Sequence, residues 1–499
     1  MIGARKLLFS VIFAVAATAI SQAGTYYVTQ SGAGSQTGNS LANAWSVANF
    51  NSSSTPTGGD TVFFSGTITS QIKPNTSGTG NGAGRLTLDF TGATINVAGS
   101  EILISGKNYL TLNGGTFSPQ DSSTLVDFNQ QTSHDITIQH MSYTGTDDNS
   151  ITDFVASSYV AYAIVQNNHM DLVAHCWVGD NKAVHDITFL NNYCRGSANT
   201  REQTDIFYQG DSSNVTIQGN VLIQRAAGMN SNGQHNDVIQ TYHGGSSGGS
   251  DPSGWIIRYN WIELNIAGPY RTGDNSWMMW ENGTDGAAGF TCKIYSNVFV
   301  GDAAVNSGNN GMGCAQNLVT DHVYVLNNTI IRKNGPDGTI GAWSYGGSPG
   351  GYWDFRNNVG QEGADGGTWV FLLEGSSNAR NSQNIARAPA GTPWNRNFWY
   401  QTANCDATLS GPNGSCSINP QFTDYANNNF SLASGSPLKN AGDSTIGAEF
   451  NQGICPGATW PTPALCTRIA GNWDVGAYQT SSASGSGPSA PSGLAALVQ

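Results

Sequence analysis

Charged residues are scarce in this chain: Asp, Glu, Lys and Arg make up 11% of 499 residues, with 20 Lys and Arg against 33 Asp and Glu. So few cations provide no basic footprint, so nucleic acid is excluded as a partner. After the first 23 residues no apolar run is long enough to cross a bilayer, and no membrane span is expected. No CxxC or HxxxH spacing offers a zinc site, and there is no Walker-type loop or GxGxxG fingerprint. DNSITD (148–153) lacks the spaced ligands and terminal Glu of an EF-hand loop.

Gly is abundant at 63 residues, in company with many Asn, Ser and Thr, a composition that suits turns and strands rather than helices. The opening MIGARKLLFSVIFAVAATAISQAG has a short basic start at Arg5 and Lys6, an apolar stretch from Leu7 to Ile20, and a small-x-small site ending at Ala23. It predicts an export signal over 1–23 and a secreted protein, extracellular or periplasmic. All eight cysteines follow it, an even number that predicts disulfides in an exported chain. Cys405/Cys416 and Cys455/Cys466 are the simplest local pairs, and connectivity stays open.

One phrase recurs: HDITFLNNYC (185–194), SNVTIQGNVL (213–222), SGWIIRYNWI (253–262), FTCKIYSNVF (290–299), DHVYVLNNTI (321–330) and GYWDFRNNVG (351–360). Each is an alternating strand, an Asn and a further apolar pair. The asparagines are Asn192, Asn220, Asn260, Asn297, Asn328 and Asn358, at spacings of 28, 40, 37, 31 and 30 residues. HDITIQHMSY (134–143) is an earlier copy with Met141 in the Asn position. A solenoid accounts for this: stacked coils bury a shared core, and an Asn at one turn hydrogen-bonds to the Asn one coil away. Residues 144–168 interrupt the repeat and are expected to form a loop or small insertion.

These phrases, with the start GTYYVTQSGAGSQTGNSLANAW…GGDTVFFSG and the close NNFSLASGSPLKNAGDS…NWDVGAYQ, resemble the pectate-lyase-like right-handed parallel β-helix superfamily over residues 24–480. The resemblance implies an all-β parallel β-helix with an asparagine ladder. It leaves the activity open among lyases, hydrolases, epimerases and binding proteins. Residues 481–499 are Ser/Gly/Pro-rich and read as a linker; PSAPSGLAALV is similar to the opening of a fibronectin type III module.

A second register aligns NNHMDLVAHC (167–176), EQTDIFYQG (202–210), QHNDVIQTY (234–242) and GDNSWMMWE (273–281). One column reads Asp171, Asp205, Asp237, Ser276; two residues earlier it reads His169, Gln203, His235, Asp274. Carboxylates on successive coils would lie about 4.8 Å apart, a repulsion that needs compensation. Calcium, held by Asp171, Asp205, Asp237 and Asp274, would supply it, as would unequal protonation for acid–base work. Tyr208, Tyr242, Trp277 and Trp280 could stack on sugar rings, with Trp277 equally suited to the core. Gln203 and Gln240 are further substrate contacts. Among nearby cations, Arg201 and Arg271 are favoured over Lys182, Arg195 and Arg225 as partners for a uronate. The reading requires the column to face outward, although alternation from Ile239 would turn Asp237 and His235 inward.

The resemblance implies three functions. A polysaccharide lyase would cleave a uronate polymer by β-elimination with calcium on the aspartates and His235 or Arg271 as base; Asp237, His169 and Arg201 complete the candidate set. A hydrolase would use aspartates on neighbouring coils as acid and base. A C5-epimerase varies the first, and an adhesive or carbohydrate-binding β-helix is the non-catalytic reading. The lyase leads, with an anionic polysaccharide as partner and a monomer as the expected state.

Overall fold

The computed structural model describes residues 23–118, 124–129, 131–145, 153–157, 159–179, 184–197, 204–225, 236–242, 253–265, 277–281, 291–301, 322–333, 352–362, 394–400, 411–471 and 473–480. The expected export signal, apart from Ala23, and the 481–499 linker lie outside them.

Alternation sets the strands. In Leu110–Asn113, Leu110 and Leu112 are buried while Thr111 and Asn113 point out, and Ile136–Gln139 repeats this one coil on. Short parallel strands stack into three faces. Face one runs through Leu110–Asn113, Ile136–Gln139, Ile164–Gln166, Val184–Leu190, Ser212–Gln218, Trp255–Arg258, Thr291–Tyr295, His322–Leu326 and Tyr352–Arg356. Face two runs through Thr116–Phe117, Ser142–Thr144, His169–Val173, Tyr193–Gly196, Val221–Gln224, Trp261–Leu264, Val298–Gly301, Thr329–Arg332, Val359–Glu362 and Phe398–Tyr400. Face three is shorter, from Ser100–Leu103 through Thr124–Asp127, Asp153–Ser157, Trp177–Gly179, Phe207–Gly210 and Ile239–Tyr242 to Met278–Glu281. This is the right-handed parallel β-helix that the repeat implied. The described part of 144–168 is no insertion: Asp153–Ser157, Val160–Ala161 and Ile164–Gln166 are successive strands of an ordinary coil. Its turn residues Tyr159, Tyr162 and Asn167 simply hide the repeat phrase.

The corner between faces one and two carries the asparagine ladder, longer at both ends than the six repeats indicated. The Nδ2 of Asn168, Asn192, Asn220, Asn260, Asn297, Asn328 and Asn358 each donates to the Oδ1 of the next rung at 2.9–3.2 Å, ending on Asn397. Met141 sits where the first rung would be, its N–H donating to Asn168 Oδ1. The left-handed backbone falls one residue earlier than the ladder Asn, at Asn167, Asn191, Gly219, Tyr259, Ser296, Asn327, Asn357 and Arg396. Asn260 Oδ1 accepts from both the N–H and Nδ2 of Asn220, and its own Nδ2 satisfies the Ile217 carbonyl. Asn260→Ala strands all of these in the core. It is expected to destabilise the protein by about 3 kcal/mol, read as a lower denaturant midpoint at unchanged slope.

Further segments pack against the coils. At the N-terminal end the helix Val47–Ser52 lays Phe50 edge-on against Phe64 at 5.2 Å, covering the first coil. Residues 422–471 and 473–478 fold back over the corner between faces one and two. There Phe430 stacks on Trp261 at 5.7 Å and Phe450 meets Tyr295 at 4.9 Å. Buried Arg468 fixes this segment by donating to the Asp474 and Gly476 carbonyls. The disulfides Cys176–Cys194 and Cys455–Cys466 fit an exported chain; of the two local pairs expected, the second is one of these.

Candidate functional site

The chain turns from face two into face three at a second corner, and polar residues gather there. Counting back two positions from the paired Trp177, Phe207 and Ile239 gives His175, Asp205 and Asp237. His175 in turn bridges Asp153 on the coil before. The column is therefore Asp153–His175–Asp205–Asp237, one residue per coil, about 4.8 Å per step.

Its bonding is specific. Asp153 Oδ1 lies 2.7 Å from His175 Nδ1. Asp205 Oδ1 accepts the backbone N–H of Asp237 at 2.7 Å, and Asn236 Oδ1 accepts the N–H of Thr204 at 2.8 Å. Gln224, at the end of its face-two strand, donates to the Thr204 carbonyl and, at 3.1 Å, to the Asp237 carbonyl, tying the corner together. Burial alone would lower the pKa of His175. Asp153 in contact and Asp205 beside it more than offset this, so the imidazole is held above its ordinary range. The side chains of Asp153 and His175 are 20% and 13% exposed, whereas Asp205 and Asp237 are buried at 2% and 0%. The column was expected to face solvent throughout; its later half does not.

The aligned register requires a further correction. Asp171 belongs to face two, in register with Arg195 and Thr144, and not with Asp205 and Asp237. Arg195 holds it bidentately at 2.6 and 2.7 Å. His169, on the same strand, stacks on Tyr193 at 4.7 Å, and burial together with Arg195 lowers its pKa against the pull of Asp171. The cause is a short link. Only residues 174–176 separate the strand His169–Val173 from Trp177–Gly179, so this coil presents two apolar groups in quick succession and the first mimics the strand that follows the corner. Hence His175 and Asp153 were missed. The signal was AHCW, where His175 precedes Trp177 by the same two residues that separate Asp205 from Phe207 and Asp237 from Ile239.

On face three, Tyr208 is half-buried and in register with Gln240, which is 3% exposed. Tyr242 pairs with Gly210, and Trp280 shares a rung with Thr241. Trp277 is core, its indole N–H donating to the Val300 carbonyl at 2.9 Å. His235, Arg271, Arg201, Gln203 and Asp274 lie outside the described residues, as do Lys182 and Ser276. Among the described residues no three His, Cys, Asp or Glu side chains converge where a metal ion could sit. With Asp171 on another face, the calcium set Asp171/Asp205/Asp237/Asp274 is not assembled from them.

No protein-family model matches the chain, and no curated protein matches it in sequence. Among solved structures it is similar to the GH136 lacto-N-biosidase of Eubacterium ramulus, at 11% identity over 71% of this chain and 68% of that one, with a TM-score of 0.39. It is also similar to pectate lyase Pel9A, at 14% identity over 93% and 98% with a TM-score of 0.35. A third likeness is to the surface adhesin PfbA of Streptococcus pneumoniae, at 12% identity over 64% and 83% with a TM-score of 0.35. At identities this low the likenesses carry nothing about the reaction, and the fold rests on the strand pairings above.

Proposed function

We propose that the chain is an exported carbohydrate-active enzyme that hydrolyses glycosidic bonds of a polysaccharide at the Asp153–His175–Asp205–Asp237 column. One observation carries this: an imidazole hydrogen-bonded to one carboxylate, with a second carboxyl on the next coil and a third one coil further. Glycoside hydrolysis needs a proton delivered to the leaving oxygen and negative charge beside the oxocarbenium-like carbon. His175, fixed at Nδ1 by Asp153, offers the proton at Nε2. Asp205, one coil and about 4.8 Å from His175, supplies the nucleophile, and Asp237, fully buried on the next coil, supplies only negative charge; an acid and a nucleophile so close suit retention of anomeric configuration. The Asp205 carboxylate bonds to C1 as the C1–O bond breaks and the His175 proton passes to the departing oxygen; water then displaces the carboxylate from C1, giving its proton back to His175.

The electrostatics set the order of readings. β-Elimination from a uronate requires the sugar carboxylate to be neutralised. The described column holds three carboxyls against one imidazole, and Arg195 is committed to Asp171. A uronate lyase or C5-epimerase would need calcium on Asp205 and Asp237 with ligands from elsewhere in the chain.

The test takes the purified protein across pectate, alginate, glycosaminoglycans and neutral glycans, with calcium and with chelator, reading reducing ends and the ultraviolet absorbance of unsaturated ends. Hydrolysis predicts reducing ends without absorbance, indifferent to chelator, and a retained anomer by NMR. Asp171→Asn is expected to leave that rate unchanged. Calcium-dependent absorbance would replace the reading with elimination, and no cleavage of any polymer would leave a binding protein.

A further inference from the structure

Face one carries a second feature, well apart from the column. Tyr109 meets His134 edge-to-face at 5.0 Å and 90°, and His134 Nδ1 bonds Asp135 at 2.7 Å. Two coils on, the unit repeats: Tyr162 meets His185 at 5.2 Å and 87°, and His185 Nδ1 bonds Asp186 at 2.7 Å. The rung between them is empty of such a unit because Ala161 stands in register with both His134 and His185. Tyr109, Asp135, Tyr162 and Asp186 all hold positive φ of 54–57°, a left-handed turn repeated coil after coil that aims these side chains out of the corner.

The surroundings make this more than a turn motif. Tyr162 is 53% exposed and Ile164, two residues along the same coil, 39%; both are among the most exposed large hydrophobics described. Beside them runs a line of side-chain amides, Gln166 donating to Gln139 at 2.8 Å and Gln139 to Asn113 at 3.1 Å. An exposed apolar strip rimmed by oriented donors and acceptors marks a binding surface rather than a scattered hydrophobe. Each His, fixed at Nδ1, leaves Nε2 for a partner.

We infer that this part of face one is a docking surface for an extended polysaccharide chain, separate from the bond-breaking column. The repeat selects the occupant. Two aromatic–imidazole–carboxylate units of the same composition stand two coils, about 9.6 Å, apart, close to the length of two sugar units in an extended chain. Sugar rings offer an apolar face to Tyr162 and Ile164 and hydroxyls to the imidazoles and amides, the division of labour usual in ligand sites. The choice of a carbohydrate rests on the proposed function; the existence of a docking surface does not.

The test uses the full chain in an Asp237→Asn background, mixed with suspensions of cellulose, chitin, insoluble xylan and insoluble mannan, and reads protein depleted from solution. The parent is expected to bind at least one of them. Tyr162→Ala/Ile164→Ser is expected to weaken that binding about tenfold at unchanged melting temperature. Tyr162→Phe should bind as the parent does, and Tyr162→Ala with Asp237 restored should cleave a soluble oligosaccharide at the normal rate. Equal binding by the double variant, or no depletion of the parent by any polymer, overturns the inference. Lost binding in the double variant, alongside failure to cleave any substrate, would uphold the docking surface and remove only the hydrolase reading.

Discussion

His175→Ala is expected to lower kcat on the cleaved polymer by about 10²- to 10⁴-fold with little change in KM, the range for removing a positioned general acid. Asp153→Asn is the sharper experiment, because it leaves the imidazole in place and removes its partner. In the folded protein burial pulls the His175 pKa down, and Asp153 and Asp205 lift it above the ordinary histidine range. The protonated ring is the active form, so activity is present below that pKa and is lost as pH rises through it. With Asp153 neutralised the pKa drops, and the alkaline limb of kcat/KM against pH should move to lower pH. A merely structural histidine would change the amount of folded protein and leave the shape of that profile alone. An unmoved limb in Asp153→Asn would remove His175 from the mechanism.

A second large effect lies in the core. Glu101 is completely buried, and neither carboxyl oxygen has a hydrogen-bond partner among the described residues. By register it opens a stack at the face-three corner that continues through Leu125, Phe154, Cys176 and Ile206. Burial pushes its pKa up to about 8. The folded state therefore keeps a proton that the unfolded chain releases above its ordinary, lower pKa. Stability contributed by the neutral acid is complete below the unfolded value. It falls by about 1.4 kcal/mol per pH unit as pH rises toward 8 and levels off beyond. Glu101→Gln cannot ionise, and Glu101→Leu matches the rest of the stack. Both should melt increasingly above the parent as pH goes from 5 to 9, Glu101→Leu by more. Parallel melting curves for parent and Glu101→Gln across that range would show that Glu101 is solvated or paired.

The asparagine ladder was legible because one residue type recurs at a fixed offset from an alternating strand, and burial of its amide leaves little choice of side chain. Its ends at Asn168 and Asn397 were not: AIVQNNHM (163–170) fits the phrase but lies in a stretch that otherwise breaks the repeat, and only the two-residue strand Trp394–Asn395 precedes Asn397. Half of the candidate site was also legible. Asp205 and Asp237 do occupy one column, since both precede their strands by the same two residues. Asp171 misled because a parallel β-helix uses similar short apolar strands on every face, and a local pattern does not say which face a strand joins.

The sequence by itself therefore determined the solenoid, its strand alternation and its ladder, all of which depend on spacing within one coil or between equivalent turns. Only the tertiary structure decided which coil aligns with which. That register set His175 beside Asp153, moved Asp171 to the pairing with Arg195, and brought Tyr162 and His185 into step with Tyr109 and His134. The physical reason is that stacking contacts join residues some 22 to 40 positions apart through connections of unequal length. Backbone hydrogen bonding between whole coils fixes that alignment, and no single stretch of chain encodes it.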